Sequence, residues 1–387
     1  MRYLVTNFAY GTGPYLRTTD LAIAFNNEFL KRTGERFGII VPLVYGEKQR
    51  RIMLEEFASH ESRYPGEIVL DQTLGTLLES VFYGEVSYEA SLQGWIENAD
   101  KIGHEVKKHL SSSFIGETLM GEKREIEGSR IELELNRAPR IKYNIAPSYF
   151  TSFAHIGDIL GEVMHEPVDR IALDRELCRK GRDIAGKIES GHEMYCLSYP
   201  GTFTYEESYK PREQEIIVPP IGPLTRINND PLDQGIFVTV TGIPGLERLY
   251  EEAKALGIRL YSNDPEAVPG SIKASPHVIP NKNILFQFAR SGWSSVWLSM
   301  IAGTPLVVPD FDPYDDPEIY FNNKAVESLA IGIVYRGQPL KVLLEKAAQI
   351  KENQKALCRK IIKRWGTLDG TSYCAELFAK DFIFRYK

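Results

Sequence analysis

Residues 289–298 read Ala289-Arg290-Ser291-Gly292-Trp293-Ser294-Ser295-Val296-Trp297-Leu298, and this stretch decides the fold. An apolar run, Ile284–Phe288, leads into it, so it reads as a strand end, a glycine turn and a helix start over 293–302. Glycine lets backbone N–H groups approach an anion, and a helix N-terminus adds favourable partial charge. Ser291 is placed to cap the helix, Ser294 and Ser295 offer hydroxyls in its first turn, and Arg290 supplies a cation suited to phosphate. Trp293, Val296, Trp297, Met300 and Ile301 have the spacing of a core-facing stripe. Packing accounts for Trp297, whereas Trp293, at the turn, is expected to face a cleft.

Working outward, residues 306–308 form a strand. They lead into Asp310-Phe311-Asp312-Pro313-Tyr314-Asp315-Asp316-Pro317-Glu318, ahead of a helix near 318–330 that carries Asn322 and Asn323. Carboxylates such as Asp316 and Glu318, with the two amides, suit sugar hydroxyls. The alternatives are a solvated loop or a divalent-ion site, but the acidic spacing lacks the glycine and register of an EF-hand. Upstream, a strand at 236–240 and a helix at 245–257 flank Thr241-Gly242-Ile243-Pro244-Gly245. Thr241, Gly242 and Gly245 are therefore a second set of anion-binding candidates, although the same pattern also fits an ordinary strand-to-helix turn. A strand at 258–262 and a long helix at 339–365 complete the half.

The N-terminal half has the same rhythm. Tyr3–Phe8 is an apolar run, followed by the loop Tyr10-Gly11-Thr12-Gly13-Pro14. Leu21, Ala24, Phe25 and Phe29 then lie on one face of a helix that Thr18, Thr19 or Asp20 would cap. Further runs at 37–44 and 68–70, alternating with helices, argue a parallel sheet covered on both faces. Residues 123–135 alternate polar and apolar around Gly128-Ser129 and predict a hairpin insertion. Helical patterns follow near 152–165 and 169–188. Glu215–Val218 is a strand candidate, and Pro219-Pro220-Ile221-Gly222-Pro223-Leu224 is a linker that regular structure excludes. The expected domains are 1–218 and 219–369, followed by an aromatic-rich end, 370–387, with Phe378, Phe382, Phe384 and Tyr386. Ligands of such sheets bind beyond the carboxyl ends of the strands, in the cleft that two such domains would form.

Bulk composition narrows the function. The 387 residues are 43% hydrophobic and 25% charged, as in a globular protein, and their net charge of -6 argues against a nucleic-acid binder, which usually carries a basic excess. Cys178, Cys196, Cys358 and Cys374 form no C-x-x-C pair, which argues against a zinc or disulfide framework and for a cytoplasmic setting. No run approaches the roughly 18 apolar residues of a membrane span. Lys341, Lys346, Lys351, Lys355, Arg359, Lys360, Lys363 and Arg364 allow a peripheral membrane face, although a solvated helix face explains them as well.

Together these pieces resemble glycosyltransferases of the two-Rossmann-domain GT-B architecture, above all the MurG-type and UDP-glycosyltransferase-type enzymes. The C-terminal motif of that family reads approximately S-G-x-x-[ST]-x-x-E-x-x-x-x-G-x-P, and here Ser291-Gly292-Trp293-Ser294-Ser295, Gly303 and Pro305 fall at matching distances. Asp316, Glu318, Asn322 and Asn323 follow the pattern of its D-x-Q-x-x-x-N-A element, and Gly11-Thr12-Gly13 that of its first loop.

The resemblance implies an α/β fold of two Rossmann-like domains facing a cleft, with residues 370–387 crossing back so that Phe378, Phe382, Phe384 and Tyr386 dock on the first domain. It also implies sugar transfer from a nucleotide-diphosphate sugar, UDP-linked, to an unidentified small-molecule or lipid-linked acceptor, with no further cofactor; because a helix N-terminus can stabilise the leaving phosphates, no metal is expected to be required. Gly11 and Gly13 join the donor-site candidates on the same ground. Three positions depart from the family. Leu298 stands where it places a ribose-binding glutamate, Tyr15 where it places an N-terminal histidine, and Glu318 where it places a glutamine. If transfer inverts the anomeric centre, a base is needed. Asp71, His155 and Asp20 are the candidates, in that order, each with a structural reading beside it. A donor-consuming epimerase or hydrolase, and a non-catalytic nucleotide-sugar-binding protein, are the alternatives.

Overall fold

The structure, a computed structural model, describes residues 1–8, 11–79, 81, 87–137, 140–222, 225, 227–239 and 246–387, with Thr12 described by its backbone only. The chain divides into two compact units. Unit 1 is Met1–Ser198, Lys210–Ile221 and Gly370–Lys387; unit 2 is Tyr199–Tyr209 with Gly222–Asp369.

Unit 1 opens with β1 (Tyr3–Phe8), α1 (Thr12–Thr33), β2 (Gly38–Pro42), α2 (Gly46–Glu56), α3 (Ala58–Arg63), β3 (Ile68–Asp71), α4 (Gln72–Glu79) and α5 (Tyr88–Leu110). It continues with β4 (Ser113–Thr118), β5 (Lys123–Glu127), β6 (Ile131–Arg137), β7 (Ser148–Ser152), α6 (Ile156–Val163), α7 (Arg175–Glu189), β8 (Met194–Ser198) and β9 (Glu215–Val218). Unit 2 holds β10 (Gly235–Val238), α8 (Leu246–Ala255), β11 (Arg259–Ser262), β12 (Ile272–Lys273), β13 (Ile284–Phe288), α9 (Trp293–Ala302), β14 (Leu306–Pro309), α10 (Pro317–Ser328), β15 (Gly332–Tyr335) and α11 (Leu340–Trp365). The last helix, α12 (Gly370–Tyr386), returns to unit 1.

The sheet of unit 1 runs β5-β4-β3-β2-β1-β6-β7-β8-β9, and that of unit 2 runs β12-β11-β10-β13-β14-β15. All of unit 2 pairs in parallel, as does unit 1 from β3 to β9; the β3–β4 and β4–β5 pairings are antiparallel, so β4 alone runs against the sheet. Every residue of β1, β2 and β3 is buried, as expected for strands covered on both faces.

Three readings of the sequence need correction. Residues 123–135 are not a hairpin: β5 pairs with β4 at the sheet edge, whereas β6 pairs with β1 and β7 at the centre. Glu134 caused the misreading, because its carboxylate is buried and accepts the N–H groups of Ile145 and Ala146. Its polarity therefore marks an internal contact rather than a solvent face. The α1 helix starts at Thr12, not near residue 20, with Gly11 as its N-cap at φ 109°. Thr18 and Thr19 lie inside it and donate their hydroxyls to the carbonyls of Pro14 and Tyr15, four residues back. Finally, Phe382 is buried with its ring about 6 Å from those of Phe25, Phe29 and Phe37, but Phe384 is 89% exposed and docks on nothing.

Candidate functional site

The strand order of unit 2 reverses once, and the candidate site is sought there. Its chain winds outward in both directions from the adjacent strands β10 and β13. The crevice beyond the carboxyl ends of such a pair, where the winding reverses, is where open α/β sheets bind ligands. Ala289–Ser295 leaves the end of β13 and becomes the first turn of α9 at that point; Thr241, Gly242 and Gly245, after β10, lie outside the described residues.

Gly292 is the N-cap of α9, at φ -57° and ψ 134° with no side-chain cap. Any residue adopts that backbone conformation. A Cβ built on Gly292 meets nothing within 4 Å, so its glycine answers to no crowding within the chain. Ser291 does not cap the helix: it is fully buried and donates its hydroxyl to the carbonyl of Ile319. Ser294 and Ser295 are partly exposed in the first turn. Arg290 is also less free than its sequence implies, because its guanidinium pairs with Asp315 at 2.5 Å.

Trp293 does not face solvent. It is buried, and its indole N–H points to Thr202 Oγ1 at 3.0 Å and Asn322 Oδ1 at 2.8 Å. Trp297 packs beside it and donates to the carbonyl of Pro200. Asn322 is the hub of this network. Its Oδ1 also accepts the hydroxyl of Thr202, and its Nδ2 donates to Glu318 Oε1. The first turns of α9 and α10 are thus joined through one buried amide. Asn323 is buried beside it: its Nδ2 donates to the carbonyl of Pro309, and its Oδ1 has no partner among the described residues.

Asp316 caps α10 by accepting the N–H of Glu318. Burial, followed by the charge of Asp316, raises the Glu318 carboxyl well above the usual carboxylate range. Leu298 packs against an apolar cluster of Phe237, Tyr261, Val278, Ile279 and Ile284, which explains an apolar residue at that position.

Unit 1 has its own reversal between β1 and β6. Gly11 and Gly13 sit there, at the start of α1, and the Gly11 N–H is taken by the Tyr45 hydroxyl at 2.7 Å. The three base candidates fare differently. Asp71, at the end of β3, is fully buried; its carboxylate accepts the Leu74 N–H and lies 2.7 Å from His109 Nε2. His155, the N-cap of α6, is 1% exposed, with Nε2 at 2.7 Å from Glu215. Asp20 lies inside α1, is 30% exposed at its side chain and pairs with Arg17. Tyr15 is buried against Phe8 and Tyr45.

Solved structures of the same shape are informative. A UDP-glucosyltransferase from Polygonum tinctorium, capable of glucosylating indoxyl, aligns with 99% of this chain and 98% of its own at TM-score 0.61 and 14% identity. The chain has the GT-B glycosyltransferase fold. A Phytolacca americana UGT2 structure, complexed with UDP-2-fluoroglucose and pterostilbene, shares that GT-B fold at TM-score 0.59 and 12% identity over 98% of each chain. A Streptomyces glycosyltransferase does so at TM-score 0.54 and 10% identity, over 97% of this chain and 100% of its own. No family model matches the chain, and no curated protein matches it by sequence. Among the described residues, no helix is long and apolar enough to cross a membrane, and no cluster of His, Cys, Asp and Glu is arranged to hold a metal ion.

Proposed function

We propose that the protein transfers a sugar from a UDP-sugar to a small-molecule acceptor. One observation carries the reading: the strand–glycine–helix turn at Gly292 opens at the point where the sheet of unit 2 reverses, on a GT-B fold shared over nearly the whole chain. Its unobstructed glycine is the residue a diphosphate would require. Departure of the sugar places negative charge on that diphosphate. The N–H groups of the first turn of α9, the hydroxyls of Ser294 and Ser295, and Arg290 would stabilise it, with Asp316 and Glu318 beside the sugar. The reading assigns this work to the chain rather than to a divalent ion.

For an inverting reaction the reading favours Asp20 as base. Asp71 and His155 are buried and held by His109 and Glu215, whereas the Asp20 carboxylate reaches solvent on the helix that follows the reversal in unit 1. A second reading, a nucleotide-sugar-binding protein without turnover, draws on the burial of Asp71 and His155 and on Leu298 packing into the core.

A thermal-shift screen of nucleoside diphosphates and their sugar conjugates, followed by turnover with and without acceptors, tests both. UDP-dependent stabilisation with acceptor-dependent sugar transfer supports transfer. Stabilisation without turnover supports the binding protein, and donor consumption without acceptor would identify an epimerase or hydrolase. No response to any nucleotide would remove the donor site.

A further inference from the structure

The face of unit 1 away from these strand ends holds a cavity that sugar transfer does not use. Its volume is about 390 Å3, within the range of small-molecule sites. Three separate elements bring basic side chains to it. Helix α5 contributes His104 and Lys107, the segment before β7 contributes Lys142, and the last turn of α7 contributes Lys187. This is unusual in a chain of net charge -6.

Lys107, Lys187 and His104 form no ion pair among the described residues. Among the described residues that line the cavity, Asp100 is the sole carboxylate. Lys142 is anchored, donating to the carbonyls of Ser190 and Gly191 at 3.2 and 2.6 Å, which leaves its third N–H. Its burial pulls the ammonium below the usual lysine range, against the opposing charges of Glu134 and Glu193. Gly103 opens the α5 wall, since a Cβ there meets nothing within 4 Å. Ile141 and Ile188 give the cavity an apolar floor. Asp100 on the wall, with Glu134 and Glu193 whose charges already act on Lys142, offsets part of this charge, so Lys107 and Lys187 are the two ammonium groups left to face a phosphate monoester.

We propose that this cavity binds a phosphate-bearing small molecule. The phosphate sits among Lys107, Lys142 and Lys187, and the organic body lies over Ile141 and Ile188. The site is independent of the diphosphate turn, which lies in the other unit, and it stands or falls without it.

Calorimetry on the full chain, with saturating UDP present, tests it using glucose 1-phosphate, inorganic phosphate and glucose as probes. Glucose 1-phosphate should bind, more tightly than inorganic phosphate, and glucose should not. The double variant K107E/K187E should lose at least about tenfold in affinity. Both side chains are exposed, so its melting temperature should match that of the parent. Unchanged affinity in the folded double variant, equal binding of glucose, or no binding of either phosphate probe would each overturn the proposal. A sedimentation arm separates the sources of phosphate. If vesicles containing phosphatidic acid pellet the parent but not K107E/K187E, the ligand is a lipid headgroup and the small-molecule assignment fails.

Discussion

Replacing Gly292 with alanine separates the needs of the fold from those of a ligand. The backbone conformation at 292 is open to any residue, and the new Cβ meets no atom within 4 Å. Alanine is a poorer N-cap than glycine by up to about 1 kcal/mol. Against that, the unfolded chain loses freedom worth about 0.4–1 kcal/mol. These effects nearly cancel, so the melting temperature should move by no more than about 2 °C. A bound diphosphate would meet the methyl group where it approaches the first N–H groups of α9. Each charge-assisted hydrogen bond lost there costs about 1.5–3 kcal/mol. UDP affinity should therefore fall by at least about tenfold. Differential scanning fluorimetry reads the first effect and calorimetry with UDP the second. A variant that melts much earlier yet binds UDP normally would show that the glycine serves the fold, and the reasoning would be refuted.

Other expectations concern charge and the buried network. Burial raises the Glu189 carboxyl to about 7, above its ordinary value of 4.5. The folded state thus holds that proton more tightly than the unfolded one, and the resulting stability is present below about pH 4.5 and lost as pH rises through 7. Glu189→Gln should flatten this loss in melting temperature measured from pH 5 to 8; a parallel decline in both proteins would contradict it. Arg290→Ala should weaken UDP binding about tenfold while leaving the fold almost untouched, because the pair with Asp315 is half-exposed. Unchanged UDP affinity by calorimetry would remove Arg290 from the site. Asn322→Ala strips partners from Trp293, Thr202 and Glu318, and should destabilise unit 2 by about 2–4 kcal/mol in urea unfolding. A loss under 0.5 kcal/mol would show that the hub is dispensable.

Much of the fold was legible because parallel sheets have a simple grammar. Apolar runs such as Ile284–Phe288 alternate with helical periods, and the described strands and helices lie close to those runs. Failures occurred where a polar residue turned inward. Glu134 made a central strand look like half a hairpin, and Thr18 and Thr19 looked like caps although they bond within their own helix. At the site, residue types announced an anion-binding turn, but side-chain direction did not follow from them. Trp293 and Asn322 point at each other, Ser291 points at Ile319, and Arg290 at Asp315. The inward turn of Asp71 toward His109 depends on two residues 38 apart meeting in space, which no local pattern records.

The central claim is that the first turn of α9 grips a diphosphate through its N–H groups. Hydrogen–deuterium exchange reads those groups directly, because the leading amides of a helix, here those ahead of Ser295, whose N–H bonds the Gly292 carbonyl, lack intrahelical acceptors and exchange fast when nothing covers them. Adding UDP should slow exchange in the peptide spanning residues 289–298 more than anywhere else in unit 2. Tight UDP binding that leaves this peptide exchanging at its free rate would contradict the account.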